Sequence, residues 1–126
     1  MEMEKKKKKI LIIDDDERLL LTTKEIMEHE GYEAHTHSQA LGSTNVIKAL
    51  RPDLILIDIN MPALSGESLA QVIKSTKSCK DIPVAFLSSN DEDSLRKSAA
   101  EHGLTGYICK GNLYELRSKV AEFLGI

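Results

Sequence analysis

The chain has 126 residues, 41% of them hydrophobic and 29% charged, with a formal net charge of −3. That balance suits one folded domain and excludes a disordered or membrane-embedded chain. No apolar run is long enough for a membrane span or a secretory signal, so the expected location is the cytoplasm. Two cysteines without C-x-x-C spacing argue against a disulfide framework or a zinc site, and three Tyr, two Phe and no Trp offer little for base stacking by nucleic acid.

Residues 1–8 read as a solvated basic tail, its lysine block running on to Lys9, and residues 9–126 as one domain. The first apolar run, residues 10–13 (ILII), is continuous, as in a strand covered on both faces. Asp14, Asp15 and Asp16 follow it directly. A helix is predicted over 17–30, with Leu20, Thr23 and Met27 on one side and Gly31 placed to end it. Residues 32–37 alternate, which predicts an edge strand. Its His35 and His37 are expected to face solvent rather than a metal, since no third ligand is evident. A second helix is predicted over 39–50, stopping before Arg51-Pro52 because the residue preceding proline is disfavoured in a helix.

Residues 54–57 (LILI) and 84–87 (VAFL) predict two further continuous strands, and 107–109 (YIC) a weaker one. The third helix, over 66–76, carries Leu69, Val72 and Ile73. The fourth follows Ser88-Ser89-Asn90, presents Leu95 and Ala99, and ends at Gly103. The fifth opens on Asn112 with Glu115 three residues on, a capping-box spacing with Asn in place of Ser, and continues through Leu116, Val120 and Phe123. Strand and helix alternate five times. This implies right-handed βαβ units and an α/β, doubly wound parallel sheet with helices on both faces.

In open sheets of this kind, ligands sit outside the carboxyl ends of the strands. The first strand is followed by the three aspartates and the third by Asp58. The fourth ends in Ser88, and Lys110 follows the fifth. Like charges gathered on one rim stay ionised only if a divalent cation and a lysine neutralise them. Hard oxygen ligands with room for water favour Mg²⁺. A carboxylate such as Asp58 can act as a nucleophile toward a phosphoryl group. The equatorial oxygens of that group would then be met by Mg²⁺, the Lys110 ammonium and the Ser88 hydroxyl.

Together the stretches ILIIDDDE, PDLILIDINMP, IPVAFLSSND and GYICKG resemble the receiver domain of two-component response regulators, over nearly the whole chain from about Lys8. The resemblance implies a flavodoxin-like (βα)5 fold with five parallel strands in order 2-1-3-4-5. It implies a phosphoryl donor that is a sensor histidine kinase or a histidine phosphotransfer protein. Carried over by position, it makes Asp15 a direct Mg²⁺ ligand and Asp14 one acting largely through water. Asp58 becomes the phosphoacceptor and a metal ligand, and the backbone carbonyl of Asn60 a further ligand. Ser88 and Lys110 become the hydroxyl and the lysine of the switch. Asp16 is left as an exposed start to the first helix, and Met61 and Pro62 shape the turn after Asp58. Tyr107 matches an aromatic that changes rotamer in family members, although it also reads as a residue packing the last strand.

The sequence departs from the family at several positions. Gly111 replaces the proline that usually follows the lysine in a cis linkage. Without proline a cis bond costs about 3 kcal/mol, so a trans Lys110–Gly111 bond is predicted. Ser89 stands where many relatives have Ala, and Ser65 where Asp is frequent. Asn60 and Asn90 occupy positions that tune phosphate loss.

The expected function is a phosphorylation-switched receiver that catalyses its own aspartyl phosphorylation and dephosphorylation. It would present a changed face of the fourth helix, fifth strand and fifth helix, including Arg96, Tyr107 and Tyr114, to a downstream protein. No direct contact with nucleic acid or membrane is expected. The chain would act alone or as one module of a longer protein. A phosphorylation-independent binding module is the alternative, with Gly111 its best support. An Asp-nucleophile phosphatase would need a second carboxylate two residues after Asp58, where the Asn60 amide cannot shuttle a proton.

Overall fold

Continuous burial of successive side chains needs cover on both sides of a strand, and the apolar runs receive it. The computed structural model describes residues 6–126. In it β1 (Lys9–Ile13), β3 (Leu54–Ile57) and β4 (Val84–Ser88) are buried almost residue by residue. The edges are β2 (Glu33–His37) and β5 (Gly106–Cys109), and all strands pair in parallel in the order β2-β1-β3-β4-β5. The helices are α1 (Glu17–His29), α2 (Ser43–Leu50), α3 (Gly66–Ser75), α4 (Glu92–Glu101) and α5 (Leu113–Phe123).

Alternation along each strand sends side chains into two cores. On one face Leu11, Ile13, Ile55, Ile57 and Phe86 meet Ile47 of α2, Leu69 and Ile73 of α3 and Leu95 of α4. On the other, Ile10, Ile12, Leu54, Leu56 and Leu87 meet Leu20 and Met27 of α1 and Leu116 and Val120 of α5. Three helices therefore cover one side and two the other, and the loops at the C-terminal strand ends bury Asp14, Asp58 and Ser88 while leaving Asp15 exposed. Of the predicted basic tail, residues 1–5 lie outside the described residues, and Lys6, Lys7 and Lys8 are exposed just before β1.

Four local expectations are corrected. The second helix begins at Ser43 rather than at 39, because Gly42 takes a left-handed φ of 80° and His37 Nε2 binds the Leu41 carbonyl at 2.8 Å, fixing a turn. In α3 the buried stripe is Leu69, Ala70 and Ile73, whereas Val72 rotates to 43% exposure. The β2 histidines are half-buried, each with a local partner: His35 Nε2 lies 2.7 Å from the Glu33 carboxylate, and His37 holds Leu41. At α5 only half of the capping box forms. Asn112 Oδ1 accepts the Glu115 N–H at 3.0 Å, but the Glu115 carboxylate turns to Lys119 at 3.1 Å.

The two-sided core predicts unequal costs for two truncations of apolar side chains. Phe86→Ala, which empties a fully buried site, should lower unfolding free energy in urea by about 3–5 kcal/mol. Val72→Ala should change it by no more than about 0.5 kcal/mol.

Candidate functional site

The register of the sheet brings the acidic residues together. Ile13 lies opposite Ile57 in the β1–β3 pair, so the next residue of each strand, Asp14 and Asp58, emerges beside the other. The Asp58 N–H donates to the Ile13 carbonyl at 3.0 Å and the Asp14 N–H to the His37 carbonyl at 3.2 Å. Both carboxylates are buried, at 2% and 5% exposure. Asp15 is exposed, and one carboxylate oxygen each from Asp14, Asp15 and Asp58 fall within 4.8 Å of one another.

Lys110 arrives from the far side of β4. Its N–H donates to the Ser88 carbonyl at 2.9 Å. Its ammonium lies 2.8 Å from Asp14 Oδ2 and 3.4 Å from Asp58 Oδ2. Ser88 is fully buried at the end of β4, where its Oγ accepts the Asn90 N–H at 3.3 Å. Asn60 is exposed two residues past Asp58, and its Nδ2 donates to Asn90 Oδ1 at 2.6 Å, tying together the loops that follow β3 and β4.

One ammonium faces three carboxylates, so the cluster keeps an excess of negative charge. Asp58 Oδ1 is buried without a hydrogen-bond partner, and Asp14 Oδ2 meets Lys110 at ion-pair distance but without hydrogen-bond alignment. Burial pushes the Asp58 carboxyl above its ordinary range, and neighbouring Asp14 pushes it further. Lys110 and the Asn60 backbone N–H pull it partly back. Unsatisfied carboxylate oxygens are costly where water is excluded. A hard divalent cation with its own waters suits this donor set, whereas soft-ligand metals do not.

Two residues that shape the site, Asp16 and Gly66, carried no such role in the sequence reading. Asp16 caps α1, accepting the Arg18 and Leu19 N–H groups, and its own N–H donates to Asp14 Oδ1 at 3.0 Å. It therefore positions Asp14 rather than merely starting a helix. A Cβ on Gly66 would sit 2.0 Å from the Asp58 carbonyl oxygen, so only glycine lets α3 start this close to the phosphoacceptor candidate. Tyr107 is half-buried, with its phenol donating to Glu92 Oε1 at 3.0 Å and its ring beneath Lys119 Nζ at 4.0 Å. Arg96 approaches the same ring at 5.9 Å, while Tyr114 stands apart at 80% exposure. The Lys110–Gly111 bond is trans, and Gly111 takes a φ of 88°. Glu92 and Lys119 were invisible in sequence because their contacts cross between elements. A glycine eight residues beyond the Asp was the available signal for Gly66.

Two predictions follow from this packing and charge. Because the folded state holds the Asp58 proton more tightly than the unfolded state, ionisation of Asp58 lowers stability as pH rises through the interval between its unfolded and folded pKa values. Without divalent cations, Asp58→Asn should raise Tm at pH 7.5 by about 3–5 °C, roughly 1 kcal/mol. The gain should fade below the unfolded pKa, where both forms are neutral; calorimetry across pH reads it. Gly66→Ala should cost roughly 3 kcal/mol in urea unfolding, the upper end for overpacking, because the clash is with backbone.

Comparison with known proteins agrees with this geometry. Residues 10–121 match the family model of the response regulator receiver domain. The polar-differentiation response regulator DivK of Brucella anthropi is 32% identical over 91 residues, covering 69% of this chain and 71% of that protein. Protein RcaC of Microchaete diplosiphon is 30% identical over 89 residues, 71% of this chain but only 14% of the relative. A CheY-like receiver domain protein from Methanospirillum hungatei superposes with a TM-score of 0.84 at 28% identity, covering 95% of each chain. The chemotaxis response regulator CheY4 of Vibrio cholerae shares the fold, with a TM-score of 0.84 at 21% identity over 94% of this chain and 99% of its own. The sheet order, the doubly covered core and the match over residues 10–121 converge, and the chain belongs to the response regulator receiver domain family.

Proposed function

We propose that the chain is a phosphorylation-switched receiver that takes a phosphoryl group onto Asp58 from the phosphohistidine of a sensor histidine kinase or a histidine phosphotransfer protein. The observation that carries this reading is Asp58 Oδ1, buried and without a partner, beside a second buried carboxylate and within reach of a lysine. In the transfer, an Asp58 oxygen attacks phosphorus, the P–N bond breaks, and its electron pair returns to the imidazole nitrogen. Hydrolysis by water releases phosphate and restores the carboxylate. The carboxylates of Asp14, Asp15 and Asp58 and the Asn60 carbonyl would hold Mg²⁺, which when bound supplies charge neutralisation at the phosphoryl oxygens. Lys110, 3.4 Å from Asp58, would exchange that contact for one with the incoming group, and Ser88 would offer its hydroxyl.

The switch would act through the loop between β4 and α4. Ser88 Oγ holds the Asn90 N–H, so a hydroxyl drawn toward a phosphoryl group releases that amide and biases the loop. Beyond the loop, Glu92 opens α4 and binds the Tyr107 phenol, which links the loop to the face formed by α4, β5 and α5. A downstream protein reading that face would sense the change. Among the described residues no helix is long and apolar enough to cross a membrane, and a kinase-fed receiver of this kind works in the cytoplasm. Gly111 is the best support for a phosphorylation-independent module, yet Lys110 reaches Asp14 at 2.8 Å without the proline.

Incubation with acetyl phosphate and Mg²⁺, followed by intact mass, tests the reading. Wild type should gain one phosphoryl group that decays on removal of the donor, and Asp58→Asn or omission of Mg²⁺ should abolish the adduct. An unmodified wild type under all conditions would favour the phosphorylation-independent module.

A further inference from the structure

At the end of the sheet away from Asp58, a groove of about 720 Å³ lies between the last turn of α2 and the segments that lead into β3 and β4. The four residues of β3 separate it from the acidic site by roughly 13 Å. Ile82 and Pro83 line it from the surface, with the buried Ile47 and Pro52 behind them, and its rim carries Lys48, Arg51 and Lys77. None of these three cations has an ion-pair partner within 4.0 Å among the described residues.

Two carboxylates also line the groove, and they are not equivalent. Asp53 is engaged, its Oδ2 accepting the Lys9 backbone N–H at 2.8 Å, while Asp81 is exposed. The lining thus carries three cations against two acids, a net charge of +1, with one of the acids turned to the Lys9 backbone. The exposed Lys6, Lys7 and Lys8 enter β1 at this same end, which adds positive potential in a chain whose net charge is −3. Arg51 itself has a left-handed backbone, φ 54° and ψ 61°. Ending α2 before Pro52 would be met at lower steric cost by glycine, which holds five of the positive-φ positions among the described residues, Arg51 and Ala63 being the other two. Retention of a side chain there at a steric cost is the kind of outlier found at ligand clamps.

We infer that this groove binds a phosphate-bearing organic anion, its phosphate held by Lys48, Arg51 and Lys77 and its less polar part resting on the partly exposed Ile82 and Pro83. The volume falls within the range of small-molecule sites, and guanidinium and ammonium groups are the side chains that recognise phosphate. A soluble nucleotide and the headgroup of an anionic lipid present the same chemistry. The site is separate from Asp58 and does not depend on its phosphorylation.

The test uses the full chain in EDTA, so that no divalent cation bridges a probe to the acidic end. Amide resonances are followed during titration with AMP, and co-sedimentation is measured with phosphatidylglycerol vesicles and with phosphatidylcholine vesicles. Expected are saturable AMP shifts in residues 47–53 and 77–83, weakened at least tenfold in Lys48→Gln/Lys77→Gln. Arg51→Gly keeps the bend while removing the guanidinium, and should weaken them likewise. Asp58→Asn should bind as wild type does. Sedimentation with the anionic vesicles alone, lost in the same variants, would assign the anion to a lipid headgroup. The inference is overturned if neither probe binds, if the folded variants bind as wild type does, or if the shifts map to the Asp14 and Asp58 end.

Discussion

Two aspartates, Asp14 and Asp58, are buried side by side with a third, Asp15, at their edge, and a single lysine answers them. At separations below 4.8 Å, two like charges repel by on the order of 3–4 kcal/mol even at an effective dielectric constant of 20. A protein of this size has a total stability of about 5–15 kcal/mol, so such repulsion must be offset elsewhere. Apolar packing on both faces of the sheet contributes that offset. The register that fills the two cores with Ile13 and Ile57 is the register that makes Asp14 and Asp58 neighbours. Core packing and charge crowding are thus consequences of the same strand pairing.

The lysine is placed by a different part of the same sheet. Lys110 follows β5, and its backbone is bonded to Ser88 of β4, so its ammonium is delivered across an intervening strand to the pair of acids. This brings a cation against both buried carboxylates, 2.8 Å from Asp14 and 3.4 Å from Asp58, with Ser88 at the end of the intervening strand. A cation, carboxylates and a hydroxyl gathered in this way suit a phosphoryl group, which needs cationic and hydrogen-bonding partners on several oxygens at once. From Ser88 the hydrogen bonds run through Asn90 to Asn60, and two residues beyond Asn90 in the chain Glu92, the first residue of α4, accepts the Tyr107 phenol. Under the proposed function, a change of charge at Asp58 would reach the α4, β5 and α5 face along this segment.

Much of this was legible in the sequence because buried parallel strands leave continuous apolar runs, and residues at their carboxyl ends can be read directly. Asp14, Asp58, Ser88 and Lys110 were nameable from position alone. The buried stripe of α1, Leu20, Thr23 and Met27, followed from helical spacing. Spacing failed where one turn of helix offered two candidates, as with Ala70 and Val72, and where a backbone conformation overrode it, as Gly42 did for the start of α2. The capping role of Asp16 and the close approach at Gly66 are matters of hydrogen-bond direction and clearance, which composition does not record. Glu92 and Lys119 gain their importance by meeting Tyr107 from two other elements, and no local pattern announces such a meeting.

The central claim is that the acidic cluster is balanced for a divalent cation. Thermal unfolding of the wild type as a function of Mg²⁺ concentration tests it most directly. A ligand that binds only the folded state raises stability by RT ln(1 + [L]/Kd), so Tm should climb with Mg²⁺. The climb should be strongly reduced in Asp15→Asn, which removes a ligand from the exposed edge of the cluster. A wild-type Tm indifferent to Mg²⁺, or an equal rise in both proteins, would contradict the account.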